Sequence, residues 1–149
     1  MPAEAIERLY TALNAHDGEG MAACYADDAV FEDPAFGLLR DGRVKDMWRM
    51  LCARTEDLAV ELREHDDRSA HWIATYTFRT GRKVVNDVHA RFAFGSDGLI
   101  VEHRDDFDLR RWAAQALGPP LSLLRYTPLL APVIHRTTAK QLDAWTARA

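Results

Sequence analysis

The sequence predicts an α+β fold, with helices first and strands after, in which the helices cover one face of a curved, mainly antiparallel sheet. Three observations carry that expectation. Apolar residues recur at helical spacing early in the chain, through Ile6, Leu9, Tyr10 and Leu13 and again through Val44, Met47, Trp48 and Leu51. From Leu58 the period changes to two, through Leu58, Val60 and Leu62 and then Trp72, Ala74, Tyr76 and Phe78. The turn signals Thr80-Gly81-Arg82 and Gly95-Ser96-Asp97-Gly98 join the later strands as hairpins, which makes their pairing antiparallel.

In chain order, the first helix spans about 3–16 and is closed by Asn14-Ala15-His16-Asp17-Gly18. A short second helix, about 18–25, turns Met21 and Cys24 inward. The opening strand, about 29–33, alternates so that Ala29, Phe31 and Asp33 share one side and Val30 and Glu32 the other. Asp33-Pro34 then starts a loop through Gly37, and Asp41 is placed to cap a third helix over about 41–54. Two strands through Leu58–Leu62 and Trp72–Phe78 follow, then strands Lys83–Phe94 and Leu99 to about Asp108. Beyond Leu109 come a short helix with Trp112 and Ala116, a Gly118-Pro119-Pro120 stop, a leucine-rich stretch, and an amphipathic helix over about 133–147 bearing Leu142 and Trp145. This tail is expected to dock on the domain, line the mouth of a pocket, or bury itself against a second subunit.

At 149 residues and 48% apolar content, the chain fits one compact domain with a core and room for a pocket. A formal charge of -4, with Lys and Arg scattered, gives no basic face for nucleic acid. Cys24 and Cys52 lack metal-type spacing and the N-terminus lacks a leader pattern, so a cytoplasmic setting is expected. The longest apolar stretch, about 121–134, is broken by Arg125, Pro128 and Pro132 and is too short to span a bilayer. No phosphate-binding glycine loop, zinc-hydrolase helix motif or nucleophile elbow is present. No cofactor and no metal is expected.

Four residues could carry proton chemistry. Asp33 shares a side with Phe31, where a carboxylate either titrates at a raised pKa as a general acid or base or closes an Asp-Pro turn. Tyr10 lies on the inward stripe of the first helix and either hydrogen-bonds a developing oxyanion or is an ordinary buried tyrosine. On the last strand, alternation groups Leu99, Val101, His103, Asp105 and Phe107 on one face. His103 and Asp105 then form either an oriented imidazole–carboxylate pair on the inner face or a surface ion-pair ladder with Arg104. Asn86 is the polar exception on an apolar face with Val84, Val88, Ala90 and Phe92. His89 sits among charges and faces outward unless a bulge reverses the strand.

The stretches Ile6–Asp17 and Tyr25–Pro34 closely resemble the N-terminal third of bacterial ketosteroid isomerases, members of the nuclear transport factor 2-like or SnoaL-like superfamily. The segments Arg82–Val85 and Phe92–Val101 look like the later strands of that family. The resemblance covers about residues 4–108. It implies a cone-shaped curved antiparallel sheet wrapped around the N-terminal helices and enclosing an apolar pocket. Asp33 then matches the catalytic base and Tyr10 the oxyanion tyrosine, with Phe31, Trp48, Asn86, Val88, Ala90 and Phe107 on the pocket wall. Ala90 stands where the isomerase has a protonated aspartic acid, and His103 with Asp105 fall where that pocket is apolar.

The resemblance thus implies a cofactor-independent acid/base catalyst of isomerase or polyketide cyclase type, acting on a small, largely apolar carbonyl compound and forming a homodimer. The alternative is a noncatalytic small-molecule-binding or dimeric interaction protein on the same fold. A partner role for the tail and the outer sheet face around Ile73, Thr75 and Thr77 is a further possibility.

Overall fold

The computed structural model describes residues 2–148. Helices α1 (Pro2–Asn14) and α2 (Gly18–Ala22) lead into strand β1 (Tyr25–Asp33), a short β2 (Gly37–Arg40) and helix α3 (Gly42–Arg54). Strands β3 (Ala59–His65), β4 (Ser69–Thr77), β5 (Lys83–Phe94) and β6 (Ile100–Asp106) follow, then α4 (Leu109–Ala116), a 3-10 turn (Leu121–Tyr126) and α5 (Leu130–Thr146). The order of helices before strands is as expected. Among the details that differ, β1 begins at Tyr25, Gly37–Arg40 is a strand and α5 starts at Leu130, while Asp41 stands at the N-cap of α3 as expected but makes no side-chain capping bond. Asp41 sits at φ 56°, its backbone N–H donates to the Ala29 carbonyl at 2.9 Å, and its carbonyl accepts the Val44 N–H at 3.1 Å.

The six strands lie in the order β2-β1-β6-β5-β4-β3. Every neighbouring pair is antiparallel except β1 and β6, which run parallel, so the sheet is mixed and curved rather than purely antiparallel. The parallel pair sets Phe31 beside His103 and brings the two ends of the strand sequence together at the sheet centre.

Between β5 and β6 the register breaks: Ala93 pairs Glu102 while Phe94 pairs Ile100, which leaves Val101 as an extra residue. Such a bulge switches the side-chain alternation. Ile100 is therefore fully buried and Val101 only partly so, the reverse of strict alternation, whereas His103 and Asp105 beyond the bulge still point inward.

The main core joins Ile6, Leu9 and Leu13 of α1, Val44 and Met47 of α3 and the inner face of the sheet. Leu142 of α5 is fully buried in that same core. A second cluster packs Trp112, Ala113 and Ala116 of α4 with Leu130 and Ile134 of α5 over Val84 and Ala35. The C-terminal tail thus docks on the domain, with α4 against β5 and α5 against α3. No helix among the described residues is long and apolar enough to cross a membrane.

If α5 is a structural part of the core, Leu142→Ala will destabilise the protein by about 2–5 kcal/mol, the range for a buried leucine whose site cannot fully collapse. Urea unfolding checks this; a change near zero would make α5 a peripheral appendage.

Candidate functional site

His103 is fully buried inside a box of aromatic rings. Phe92 stacks on it at 4.3 Å between centroids, Trp48 at 6.1 Å and Tyr25 at 6.1 Å, and Phe31 meets it edge-on at 5.0 Å. An imidazole so enclosed needs a partner for each nitrogen. Nδ1 lies 2.7 Å from the Tyr25 hydroxyl and Nε2 lies 2.8 Å from Asp105 Oδ1. A carboxylate only accepts, so Nε2 carries the proton it donates to Asp105, and Nδ1 accepts from the Tyr25 O–H. The result is one directed chain, Tyr25 to His103 to Asp105. Burial pushes the Tyr25 phenol well above its usual pKa, and the charge of Asp105 adds to that, so Tyr25 keeps its proton as a donor.

Asp105 carries this chain to the wall of a cavity of about 680 Å³. On the neighbouring strand its register partner is Ala90. The position at which the sequence resemblance lacks an acidic residue is therefore opposite one, with only a methyl group on Ala90 to make room. Arg104 points the other way, to Glu102 and Glu32 on the outer face, so His103 and Asp105 are not part of a surface ladder.

Asp33 lines the same cavity from the end of β1. Its Oδ1 accepts the backbone N–H groups of Ala35 at 2.9 Å and Phe36 at 2.5 Å, the bonds of an Asp-Pro turn. Oδ2 has no hydrogen bond within the described chain. Enclosure by the cavity raises the Asp33 pKa to about 7; the Phe36 N–H opposes this, the Asp105 charge adds to it, and the Ala35 N–H opposes it more weakly. The turn and the acid are one residue doing both things. Helix α5 braces the turn from outside, as His135 Nε2 bonds the Pro34 carbonyl at 2.9 Å and Thr138 Oγ1 donates to the Ala35 carbonyl at 3.1 Å.

Tyr76 and Asn86 add polar groups to the wall, and Arg54, Glu56, Asp57, Arg79 and Gln141 also border the cavity. Tyr76 accepts the Trp112 indole N–H at 2.7 Å, which leaves its own O–H free to donate into the cavity. Burial raises its pKa to about 12, Trp112 opposes this, and the Asp33 charge adds to it, which places the phenol in the field of Asp33. Asn86 lies diagonally across β4 and β5 from Tyr76, because Asn86 pairs Ala74 and Tyr76 pairs Val84. Most of the remaining lining is apolar, from Met47, Trp48, Trp72, Val88, Phe107 and Ile134.

Among the expected site residues, Asp33, Asp105, Trp48, Asn86, Val88 and Phe107 meet on this cavity. Tyr10, His103, Phe31 and Ala90 do not line it. Tyr10 packs on Trp72 at 5.1 Å and Phe92 at 6.4 Å inside the main core, with its hydroxyl buried and unbonded, so the indole of Trp72 stands between it and any ligand. Its phenol is held well above the usual pKa, first by burial and then by the Asp105 charge. His103, Phe31 and Ala90 form the layer behind the wall. Tyr25, Tyr76 and the α5 brace had no local signal: Tyr25 adjoins a polar turn, and Tyr76 looked like one more apolar residue in an alternating strand.

A family model described as a SnoaL-like domain matches residues 6–103. An LEH-like epoxide hydrolase from M. tuberculosis shares 23% identity at a TM-score of 0.63, over 83% of this chain and 95% of its own. A protein with a ketosteroid isomerase-like fold from Catenulispora acidiphila, solved with trimethylamine, shares 15% at 0.62, over 78% and 94%. The epoxide hydrolase/cyclase-like enzyme SalBIII of salinomycin pyran-ring formation shares 16% at 0.58, over 72% and 90%. At these identities the likeness to the solved structures is one of fold.

The raised pKa of Asp33 sets a pH dependence of stability. The folded carboxyl keeps its proton up to about 7, while an unstructured one releases it near 3.8. Between those values the unfolded state binds fewer protons, so Asp33 costs the fold progressively more stability as pH rises through that window, and the cost levels off above it. Asp33→Asn keeps the Oδ1 acceptor and cannot ionise. Its unfolding free energy relative to the parent is expected to rise from about pH 4 to about pH 8, measured by urea unfolding at both; a pH-independent difference would place the Asp33 pKa in the ordinary range.

Proposed function

The chain belongs to the SnoaL-like domain family, and from that premise we propose that it is a cofactor-independent acid/base catalyst acting on a small, largely apolar, oxygen-bearing substrate held in the cavity. One observation supports this reading above the others: two carboxyl groups stand on a single cavity wall in different settings. Enclosure raises the Asp33 pKa to about 7, whereas Asp105 accepts the N–H of His103 at 2.8 Å. Carboxyl groups set apart in this way suit donor and acceptor roles in one reaction.

The reaction this arrangement fits best is opening of a strained cyclic ether, such as an epoxide, by water or by a hydroxyl of the substrate. Asp105 takes the proton of the attacking O–H as its oxygen bonds to the ring carbon. The C–O bond breaks, and the departing oxygen takes the proton of Asp33. Asp105 then returns its proton to Asp33 through solvent. Tyr25 and His103 are positioning residues that fix the Asp105 carboxylate, while the free O–H of Tyr76 and the Asn86 amide hold the polar end of the substrate.

The carbonyl chemistry that the sequence resemblance implies is the second reading. It is favoured by the Tyr76 hydroxyl, a donor beside Asp33 that could take over the oxyanion role first given to Tyr10. It is disfavoured by Ala90, since an enolate would then lean on one phenol. The proposal carries with it the homodimer and the cytoplasmic setting that the sequence suggested.

A panel of apolar epoxides and ketones, followed by ¹⁸O incorporation from water and by deuterium exchange next to the carbonyl, distinguishes the two. Ring opening with ¹⁸O in the product is expected, and Asp33→Asn and Asp105→Asn are each expected to lower kcat by about 10²–10⁴-fold. Turnover that survives both substitutions would remove the carboxylate pair from the chemistry, and deuterium exchange without ring opening would favour the carbonyl reading.

A further inference from the structure

On the opposite face of the sheet, away from the cavity, His71 of β4 and His89 of β5 face each other directly in the antiparallel register. Their rings are stacked, with centroids 4.4 Å apart and 7° between planes. Asp87 lies two residues before His89 on the same outer face, with Oδ1 2.6 Å from His71 Nε2 and 3.8 Å from His89 Nε2. These donor atoms all lie within 4.8 Å of one another. We propose that His71, Asp87 and His89 form a binding site for a divalent transition-metal ion of the zinc and copper class.

The donor set and its geometry both point there. Two imidazole nitrogens with one carboxylate oxygen suit zinc or copper and do not suit calcium or magnesium, which prefer oxygen throughout. Around zinc, ligand bonds of about 2.0–2.2 Å in a tetrahedron put the donors roughly 3.3 Å apart. The distances of 2.6 and 3.8 Å to Asp87 Oδ1 straddle that value, and the two imidazoles must swing out of their parallel stack for both nitrogen lone pairs to converge on one ion. The His89 and Asp87 side chains are 69% and 56% exposed and free to make that adjustment. The paired β4 and β5 backbones hold the Cα positions meanwhile, so little order has to be created on binding.

A simple ion pair explains less. One histidine would satisfy Asp87, whereas here a second imidazole is stacked on the first and turned to the same carboxylate oxygen. Both imidazoles also border a surface groove of about 590 Å³, which Glu64, Asp66 and Asp106 share, so a coordination position left open by three protein ligands faces solvent and a partly acidic surround. Arg91 and Arg104 border it too, and Arg104 is already paired with Glu32 and Glu102.

Proton balance follows from the ligands. Without metal, His71 Nε2 carries the proton it gives to Asp87. On binding, that proton moves to Nδ1 by exchange with water, which frees the Nε2 lone pair for the metal. A protonated imidazole must release its proton before it can bind, so metal uptake is coupled to proton release.

Calorimetric titration of the tag-free full chain with Zn²⁺ tests the site. One equivalent per chain is expected in the parent. His71→Gln and His89→Gln should each weaken binding by at least about tenfold, since even outer-shell partners are worth that much. His65→Gln, beside the same groove, should leave binding unchanged. In the unmodified chain, Zn²⁺ should also shift the ring resonances of His71 and His89. The proposal is overturned by affinity that survives both histidine substitutions, by half an equivalent per chain, by loss that follows His65 instead, or by unmoved His71 and His89 resonances.

Discussion

An imidazole sealed among aromatic rings has to have both of its nitrogens satisfied from within the protein, and His103 meets that demand with Tyr25 on one side and Asp105 on the other. Leaving either nitrogen unpaired would cost on the order of 1–3 kcal/mol in so dry a setting. The parallel pairing of β1 with β6 is what makes the arrangement possible, because it sets the strand that carries Tyr25 and Phe31 alongside the one that carries His103 and Asp105. The same chain of bonds fixes the tautomer of the ring and the direction in which Asp105 faces the cavity.

From that point the rest of the site falls into place. The Asp105 charge, fixed at the cavity wall, contributes to holding the proton on Asp33 and also raises the phenols of Tyr10 and Tyr25. Asp33 in turn depends on a turn whose N–H groups bind one carboxylate oxygen and whose carbonyls are tied down by His135 and Thr138 of α5. The C-terminal tail is thus tied to the cavity wall, linked over about a hundred residues of sequence to the turn that Asp33 closes.

Local pattern made much of this legible. Helical and strand periods located α1, α3, β4 and β5, and strict alternation on β1 put Phe31 and Asp33 on one side. The resemblance to the isomerases drew attention to Asp33 and, through Ala90, to a missing carboxylate; the cross-strand register shows Asp105 opposite that gap, which no single-strand pattern could reveal. Strand β2 has no sequence signature because the four residues Gly37–Arg40 are too few to carry a period. The bulge at Val101 reversed Leu99–Val101 without disturbing His103. Tyr10 was placed correctly on the inward stripe of α1, but the inward direction leads into the core, where Trp72 separates it from the cavity. The His71, Asp87 and His89 cluster needs two strands in register before its spacing means anything.

The central claim is that this cavity keeps a proton on Asp33 up to about neutral pH, beside the Asp105 carboxylate that His103 orients. Carbon-detected NMR titration of the Asp33 carboxyl in the intact chain tests it most directly. A midpoint near 7 is the predicted result. A midpoint near 3.8, the ordinary value for an aspartic acid, would contradict it, because Asp33 would then have no proton to give at neutral pH.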